Sequence, residues 1–218
     1  MIEMGVTVRE RKGTGRSLAF GLIILLFSLS SAVSGFGDQF GDAVTAYERG
    51  EYTTAYRLMK PLAEKGDAKA QHNLGLMYDY GRGIPQDYTK ALTWYRRAAG
   101  QGMPESQHNL GLMYERGQGV PQNYGEAVTW YRRAADQGMR ESQVNLGVLY
   151  YKGQGVSRDY VLAHMWLDLA ASQYPASVKK SLKEAVHYRD IVDSLMTPAQ
   201  IAEAQRLARE WKPRKEVK

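Results

Sequence analysis

Residues 70–103 read AQHNLGLMYDYGRGIPQDYTKALTWYRRAAGQGM, and the same pattern returns 36 residues later in the chain. Residues 106–139 read SQHNLGLMYERGQGVPQNYGEAVTWYRRAADQGM and match the first copy at 24 of 34 positions. A third and more divergent copy follows over residues 142–174, SQVNLGVLYYKGQGVSRDYVLAHMWLDLAASQY. A constant period of this length is typical of arrays in which each repeat packs against its neighbours.

Each copy contains two helical patterns separated by a glycine-rich turn. Leu74, Met77 and Tyr78 lie three and four positions apart, which predicts a first helix with one apolar stripe. Gly81 follows the stripe, where a left-handed C-cap favours glycine, and Asp87 is a suitable N-cap for a second helix. A single hairpin of this kind leaves apolar side chains uncovered, so the copies are expected to stack as an all-α solenoid.

A second glycine recurs inside the first helix of every copy, at Gly75, Gly111 and Gly147. Glycine costs a helix about 1 kcal/mol relative to alanine, so its recurrence predicts a point where the second helix comes very close. We expect small side chains of the second helix, such as Ala91 and Ala98, to face these glycines. The recurring tryptophans are interpreted as core residues: Trp94, Trp130 and Trp166.

The patterns N-L-G-x-x-Y, G-x-G-V-x-x-D-Y and A-x-x-W-Y-x-x-A-A-x-x-G resemble the Sel-one-like repeat, a relative of the tetratricopeptide repeat. The resemblance implies an all-α, right-handed superhelix of α-α hairpins with C-terminal capping helices. It also implies a non-enzymatic adaptor that holds peptides or other proteins and needs no cofactor. The segments expected on this basis are a tetratricopeptide-like cap hairpin over 36–67, repeats over 68–103, 104–139 and 140–175, and capping helices with a basic tail over 176–218.

The end of the chain carries clear helix signals after the third copy. Residues 177–196 are predicted to form one more helix. Thr197 is then a suitable N-cap, with Pro198 in the first turn and Gln200 in position to complete a capping box. The apolar face of this last helix is expected to cover the open end of the solenoid, since an uncovered end exposes its core.

The first 35 residues have the plan of a signal peptide. An uninterrupted apolar run over residues 18–29 follows a basic segment, and small residues come next. Twelve residues span only about 18 Å as a helix, against about 30 Å of bilayer hydrocarbon. We therefore expect cleavage near residues 32–35, a periplasmic or secreted protein, and no stable membrane span afterwards. An uncleaved N-terminal anchor is the alternative.

Composition excludes several classes of function. The chain contains no cysteine, so disulfides and thiolate chemistry are absent. Without residues 1–35 the net charge is about +4, which is too small to indicate nucleic acid binding. His72 and His108 are one period apart, but Val144 fills the third copy and no other metal-ligand pattern is present. No metal site is predicted.

A hydrolase of the cell envelope is the alternative to a binding scaffold. Ser177 and Lys180 match the S-x-x-K nucleophile pair of β-lactam-binding enzymes. The S-D-N and K-T-G elements that accompany this pair are missing, so we interpret the match as chance.

The candidate binding site is a groove lined by the first helix of each repeat. If Leu74 and Tyr78 point into the core, the helical period places a series of residues on the side of the helix that faces this groove. They are Lys69, His72, Asn73, Leu76 and Asp79; Glu105, His108, Asn109, Leu112 and Glu115; and Glu141, Asn145, Val148 and Tyr151. We expect this surface to bind a peptide segment of another protein in the cell envelope.

Two interpretations of the recurring asparagine remain open at this stage. A row of amides at Asn73, Asn109 and Asn145 offers a donor and an acceptor to the backbone of an extended peptide. The same side chains would serve equally well to connect adjacent hairpins.

Overall fold

A computed structural model of the protein describes residues 39–173 and 179–214. The chain divides into two compact units, Met1–Gln39 and Phe40–Lys218, and the second unit contains all of the repeats. The predicted signal segment and its cleavage region lie outside the described residues.

The described residues form α-helices joined by short turns. In chain order they are α1 (39–48), α2 (Tyr52–Glu64), α3 (Ala68–Tyr80), α4 (Tyr88–Gly100), α5 (Pro104–Arg116), α6 (Tyr124–Asp136), α7 (Arg140–Lys152), α8 (Tyr160–Gln173), α9 (Lys179–Asp193) and α10 (Pro198–Glu210).

The helices pack as consecutive hairpins. Helix α3 packs on α4, α5 on α6 and α7 on α8, and each second helix packs in turn on the first helix of the next hairpin. Leu74, Leu110 and Leu146 occupy equivalent places in the first helices and are completely buried. The predicted all-α repeat solenoid is confirmed.

The turns follow the sequence pattern closely. Gly81 ends α3 in the left-handed conformation with φ 65°, and the Asp87 side chain accepts a hydrogen bond of 3.0 Å from the Lys90 backbone N–H at the start of α4. The second glycine of the turn, Gly83, also has positive φ, and its Cα faces the backbone of Tyr52 in the preceding hairpin. A Cβ at Gly83 would lie 2.6 Å from the Tyr52 carbonyl carbon. The turn thus both ends one helix and packs on the repeat before it.

The second helix does come close to the glycines within the first helices, but the side chain that contacts them differs from the prediction. A Cβ at Gly75 would lie 2.6 Å from the ring of Tyr95, and Gly111 faces Tyr131 in the same way. Gly147 faces Leu167. At Gly75 and Gly111 the expectation that alanines face the glycines was wrong, because the missing side chain makes room for a completely buried aromatic ring. At Gly147 a Cβ would also lie 3.1 Å from the Ala163 carbonyl oxygen.

The tryptophans are core residues only in part. Trp166 is 3% exposed, whereas Trp94 and Trp130 are half-buried. In the first two repeats an arginine covers the outer face of the indole, with the Arg97 guanidinium carbon 4.5 Å from the Trp94 ring centroid. In the third repeat Trp211 takes that role and packs edge-to-face on Trp166 at 6.2 Å.

The C-terminal helices close the array. Helix α9 packs on α8 and α7, and α10 packs on α8. The predicted capping box is present: the Thr197 hydroxyl accepts from the Gln200 N–H, and the Gln200 side chain accepts from the Thr197 N–H at 2.9 Å. The tail then crosses to the end of α6, where the Arg214 N–H donates to the Asp136 carbonyl at 2.7 Å. Within the described ranges, no helix has the length and apolar character needed to span a membrane.

Candidate functional site

The predicted groove residues lie on one side of the first helices α3, α5 and α7. We call this side the first-helix surface. All of the predicted residues on it are partly or fully exposed: Lys69, His72, Asn73, Leu76, Asp79, Glu105, His108, Asn109, Leu112, Glu115, Glu141, Asn145, Val148 and Tyr151. Leu74 is buried below them and Tyr78 is half-buried.

Two clefts on this surface share one wall. The first, of about 110 Å³, lies between the turn after α3 and helix α5, and it is lined by Asp79 among others. The second, of about 230 Å³, lies between α5, α7 and α9, and Glu141 and Glu184 line it. Leu112 and Arg116 of α5 line both clefts. The exposed side of α5 is therefore the centre of the candidate site, and α9 forms its far wall.

Sequence analysis missed two of these residues for a simple reason. Arg116 corresponds to Tyr80 and Lys152 in the neighbouring repeats, so it carries no periodic signal. Glu184 lies on α9, which has lost the repeat motif. Only the packing of α9 against α7 brings Glu184 to the cleft.

Buried tyrosines hydrogen-bond to two carboxylates of the site, Asp79 and Glu115. The Tyr95 hydroxyl donates to Asp79 Oδ2 at 3.2 Å, and the Asn109 amide hydrogen-bonds to the same hydroxyl. Burial, followed by the nearby Asp79 carboxylate, raises the pKa of Tyr95. Burial also raises the pKa of Asp79, against the opposing effects of the Tyr95 hydroxyl and the Arg116 charge.

The same arrangement recurs one repeat later with a different carboxylate. The Tyr131 hydroxyl donates to Glu115 Oε2 at 2.5 Å, and Asn145 hydrogen-bonds to that hydroxyl. Asn73 has no such tyrosine, because Met59 stands at the equivalent place, and its amide donates to the Lys69 carbonyl in its own helix at 2.8 Å. Two of the three asparagines therefore make the contacts between hairpins that the structural alternative requires.

The two recurring histidines also connect successive repeats. His72 Nδ1 lies 2.8 Å from Ser106 Oγ, and His108 Nδ1 lies 2.8 Å from Ser142 Oγ. Burial lowers the pKa of His108 to about 4 and shifts the pKa of His72 in the same direction. Both imidazoles are therefore neutral near pH 7. No group of three or more His, Asp or Glu side chains suited to a metal occurs in the part of the chain that the structure describes.

Glutamines make further hydrogen bonds both between repeats and within them, and these were not predicted. Buried Gln71 donates to the Ala63 carbonyl at 3.0 Å and accepts from Gln101 at 2.8 Å. One repeat later, Gln137 donates to Gln107 at the same distance. The signal was available, because glutamine recurs every 36 residues at both positions of the pair.

The structure does not describe the side chains of the S-x-x-K pair. Ser177 lies outside the described residues, as does the side chain of Lys180. The hydrolase alternative therefore stays a hypothesis from sequence.

Solved structures similar to this chain are bacterial repeat proteins. A protective antigen of uropathogenic Escherichia coli with an SLR fold is 35% identical, with a TM-score of 0.71 over 83% of this chain and 38% of that chain. A Sel1 repeat protein from Oxalobacter formigenes is 28% identical, with a TM-score of 0.60 over 78% of this chain and 74% of that chain.

Curated relatives match over a single repeat. The ERAD-associated E3 ubiquitin-protein ligase component HRD3A of Arabidopsis thaliana is 43% identical over 47 residues, which is 21% of this chain and 7% of the relative. The chain covers less than a tenth of the length of the curated relatives that it matches.

The Sel1 repeat family matches residues 68–103, 104–139 and 140–175. Sel1 repeats act as protein–protein interaction scaffolds, and the fold is generally not enzymatic. With three matched repeats and two Sel1-type structural neighbours, the chain belongs to the Sel1 repeat proteins.

Proposed function

We propose that the first-helix surface binds an extended segment of another protein. The observation that carries this proposal is the pair of clefts that meet at Leu112 and Arg116. They lie on the two sides of Leu112 and Arg116, one toward the turn after α3 and the other toward the wall made by α9. Binding sites of this kind combine apolar contacts with a few placed polar groups.

The apolar contacts come from one position of each first helix. Leu76, Leu112 and Val148 are half-exposed and stand 36 residues apart. Beside them, the histidines and two of the asparagines already hydrogen-bond to protein groups. The floor of the groove is therefore held in place before binding, which reduces the entropic cost of ordering it when a partner arrives.

Arg116 supplies the polar anchor. Its side chain is exposed, and among the described residues no carboxylate lies within salt-bridge distance of it. A guanidinium presents several N–H donors in one plane and suits a carboxylate or a main-chain carbonyl of the bound segment.

The location that we propose for this activity is the periplasm or the outside of the cell. The basic flank and the twelve-residue apolar run near the N-terminus support export. N-terminal sequencing of the protein recovered from its natural host tests this point. A mature start between residues 33 and 36 is expected, and a cytoplasmic full-length chain would contradict it.

A displayed library of random peptides tests the binding proposal. Peptides selected on the wild-type protein should bind the Leu112→Lys variant at least tenfold more weakly, because a charge replaces the shared apolar contact. Thr129→Lys is the matched control, since Thr129 is an exposed residue of the second helix α6. Failure to select any peptide, or equal binding to both variants, would refute the proposal. Circular dichroism of all three proteins should agree closely, and binding is compared below the melting transition of each, because Leu112 also packs against the core.

A further inference from the structure

The second helices carry a row of arginines that the proposed groove does not use. Each WYRR segment places two of them on the outer side of its helix, and each lies over an aromatic ring. The distances from guanidinium carbon to ring centroid are 5.8 Å for Arg96 on Tyr114, 4.5 Å for Arg97 on Trp94, 5.5 Å for Arg132 on Tyr150 and 4.7 Å for Arg133 on Trp130. We call these four residues the arginine row.

The arginine row lacks carboxylate partners. Over the described ranges, none of its members forms a salt bridge. On α10, by contrast, Arg206 pairs with both Glu203 and Glu210 at 2.7 Å and 2.6 Å. The aromatic rings hold the arginine row on the surface. Within the row, the charge of Arg132 is partly offset by the nearby Asp136 carboxylate.

The C-terminal tail extends this positive surface. Lys212 and Arg214 line a cleft together with Arg132 of α6, and the carboxylates of Asp136 and Glu210 line it as well, so cations outnumber anions there by three to two. The hydrogen bond from the Arg214 N–H to the Asp136 carbonyl, 2.7 Å long, attaches the tail to the end of α6. The tail cations therefore lie beside the arginine row.

The apolar side chains beside the arginine row are partly covered: Trp94 and Trp130 are half-buried, and Arg97 and Arg133 lie over their rings. The large hydrophobic side chains that stand out as exposed in the described part of the chain are Tyr80 and Leu195, and neither belongs to α4, α6 or the tail. The four arginines of the row are spread over two successive repeats, and of these Arg132 alone lines the cleft with Lys212 and Arg214. Such a distribution suits a flat anionic surface better than a single acidic peptide.

We propose that the arginine row and the tail dock on the surface of an anionic phospholipid membrane. The attraction is electrostatic, and the phosphate groups of the lipids accept hydrogen bonds from the outward N–H groups of the guanidinium ions. The first-helix surface belongs to the other helix of each hairpin and stays available to a protein partner. This inference does not depend on the groove binding a peptide.

Cosedimentation with vesicles tests the inference. The protein from residue 36 onward contains the whole compact unit and lacks the apolar run of residues 18–29. It should bind vesicles of phosphatidylcholine with phosphatidylglycerol, and not vesicles of phosphatidylcholine alone. Binding should fall steeply as salt rises above 0.1 M, where the screening length is about 10 Å.

Paired variants separate the role of the arginine row from general charge. Arg97→Gln with Arg133→Gln should weaken binding about thirtyfold, from the usual contribution of about 1 kcal/mol per basic residue at such a surface. The same two positions changed to lysine should retain binding. Lys152→Gln with Lys183→Gln removes two exposed cations from α7 and α9 and should change binding by less than threefold.

Three results would overturn the inference. The first is equal binding to neutral and anionic vesicles. The second is unchanged vesicle binding when Arg97 and Arg133 are both changed to glutamine. The third is an equal loss of vesicle binding in the control, in which Lys152 and Lys183 are changed to glutamine. Binding of polyglutamate at the arginine row without any binding to anionic vesicles would also overturn it, and would assign an acidic protein segment instead. Melting curves of every variant show whether a loss of binding reflects a loss of fold.

Discussion

Replacing Gly111 with alanine adds one methyl group at the closest point between two helices. The new Cβ would lie 2.5 Å from Cε1 of Tyr131, well inside van der Waals contact. Tyr131 is completely buried, and its hydroxyl donates to Glu115. The ring therefore cannot move aside without disturbing both its packing and its hydrogen bond.

Two opposing effects set the size of the change in stability. Alanine favours a helix over glycine by about 1 kcal/mol, and overpacking a core costs about 1–3 kcal/mol. Because the Tyr131 ring is held at both ends, we expect the upper part of that cost. The free energy of unfolding should fall by about 1–2 kcal/mol, and the melting temperature by about 3–6 °C.

Urea denaturation of paired variants checks this reasoning. Gly100→Ala is the matched control, because a Cβ at Gly100 meets no atom within 4 Å, and this variant should be neutral or slightly more stable. In a Tyr131→Ala background the obstructing ring is gone, so Gly111→Ala should become stabilising. The same destabilisation by Gly111→Ala in both backgrounds would refute the close-packing account.

Other perturbations give distinct outcomes. Asn109→Ala should lower the free energy of unfolding by about 1 kcal/mol, and Asn73→Ala by about half as much or less. The difference arises because Asn109 connects two repeats and Asn73 does not. Denaturation curves measure both changes. The free energy of unfolding should decrease by about 2–3 kcal/mol as pH falls from about 6.5 to about 4, because over this range the unfolded chain protonates His108 and the folded chain does not. A His108→Val variant should show a shallower pH dependence in the same titration. Trp211→Ala should destabilise the protein by about 2–3 kcal/mol and shift tryptophan emission to the red as Trp166 becomes exposed.

The repeat architecture could be predicted because its signals are local. Gly81 and Asp87 act through the backbone of the next few residues, and the 36-residue period makes each such signal visible three times. Leu74 was predicted in the core from helical spacing alone. None of these inferences requires knowledge of which side chains of the two helices are in contact.

Contacts between helices were harder to predict. Nothing in the local pattern distinguishes Ala91 from Tyr95 as the partner of Gly75, since both fall on the inner side of the second helix. Arg116 and Glu184 escaped notice because neither recurs in the other repeats. Their place in the candidate site depends on how α9 packs after the last recognisable repeat.

The hydrogen bonds between repeats have a consequence for how such a chain changes length. His72 with Ser106 and His108 with Ser142 are the same bond at a separation of 34 residues. Gln107 and Gln143 likewise donate to the carbonyls of Ala99 and Ala135 in the preceding repeat, at 3.3 Å in both cases. The junction before residues 104–139 is thus chemically equivalent to the junction after them. A tandem duplication of this segment would create a new junction with every donor and acceptor already matched. Gene duplication can therefore lengthen the protein in steps of 36 residues while adding one more copy of the partly buried Leu112 each time.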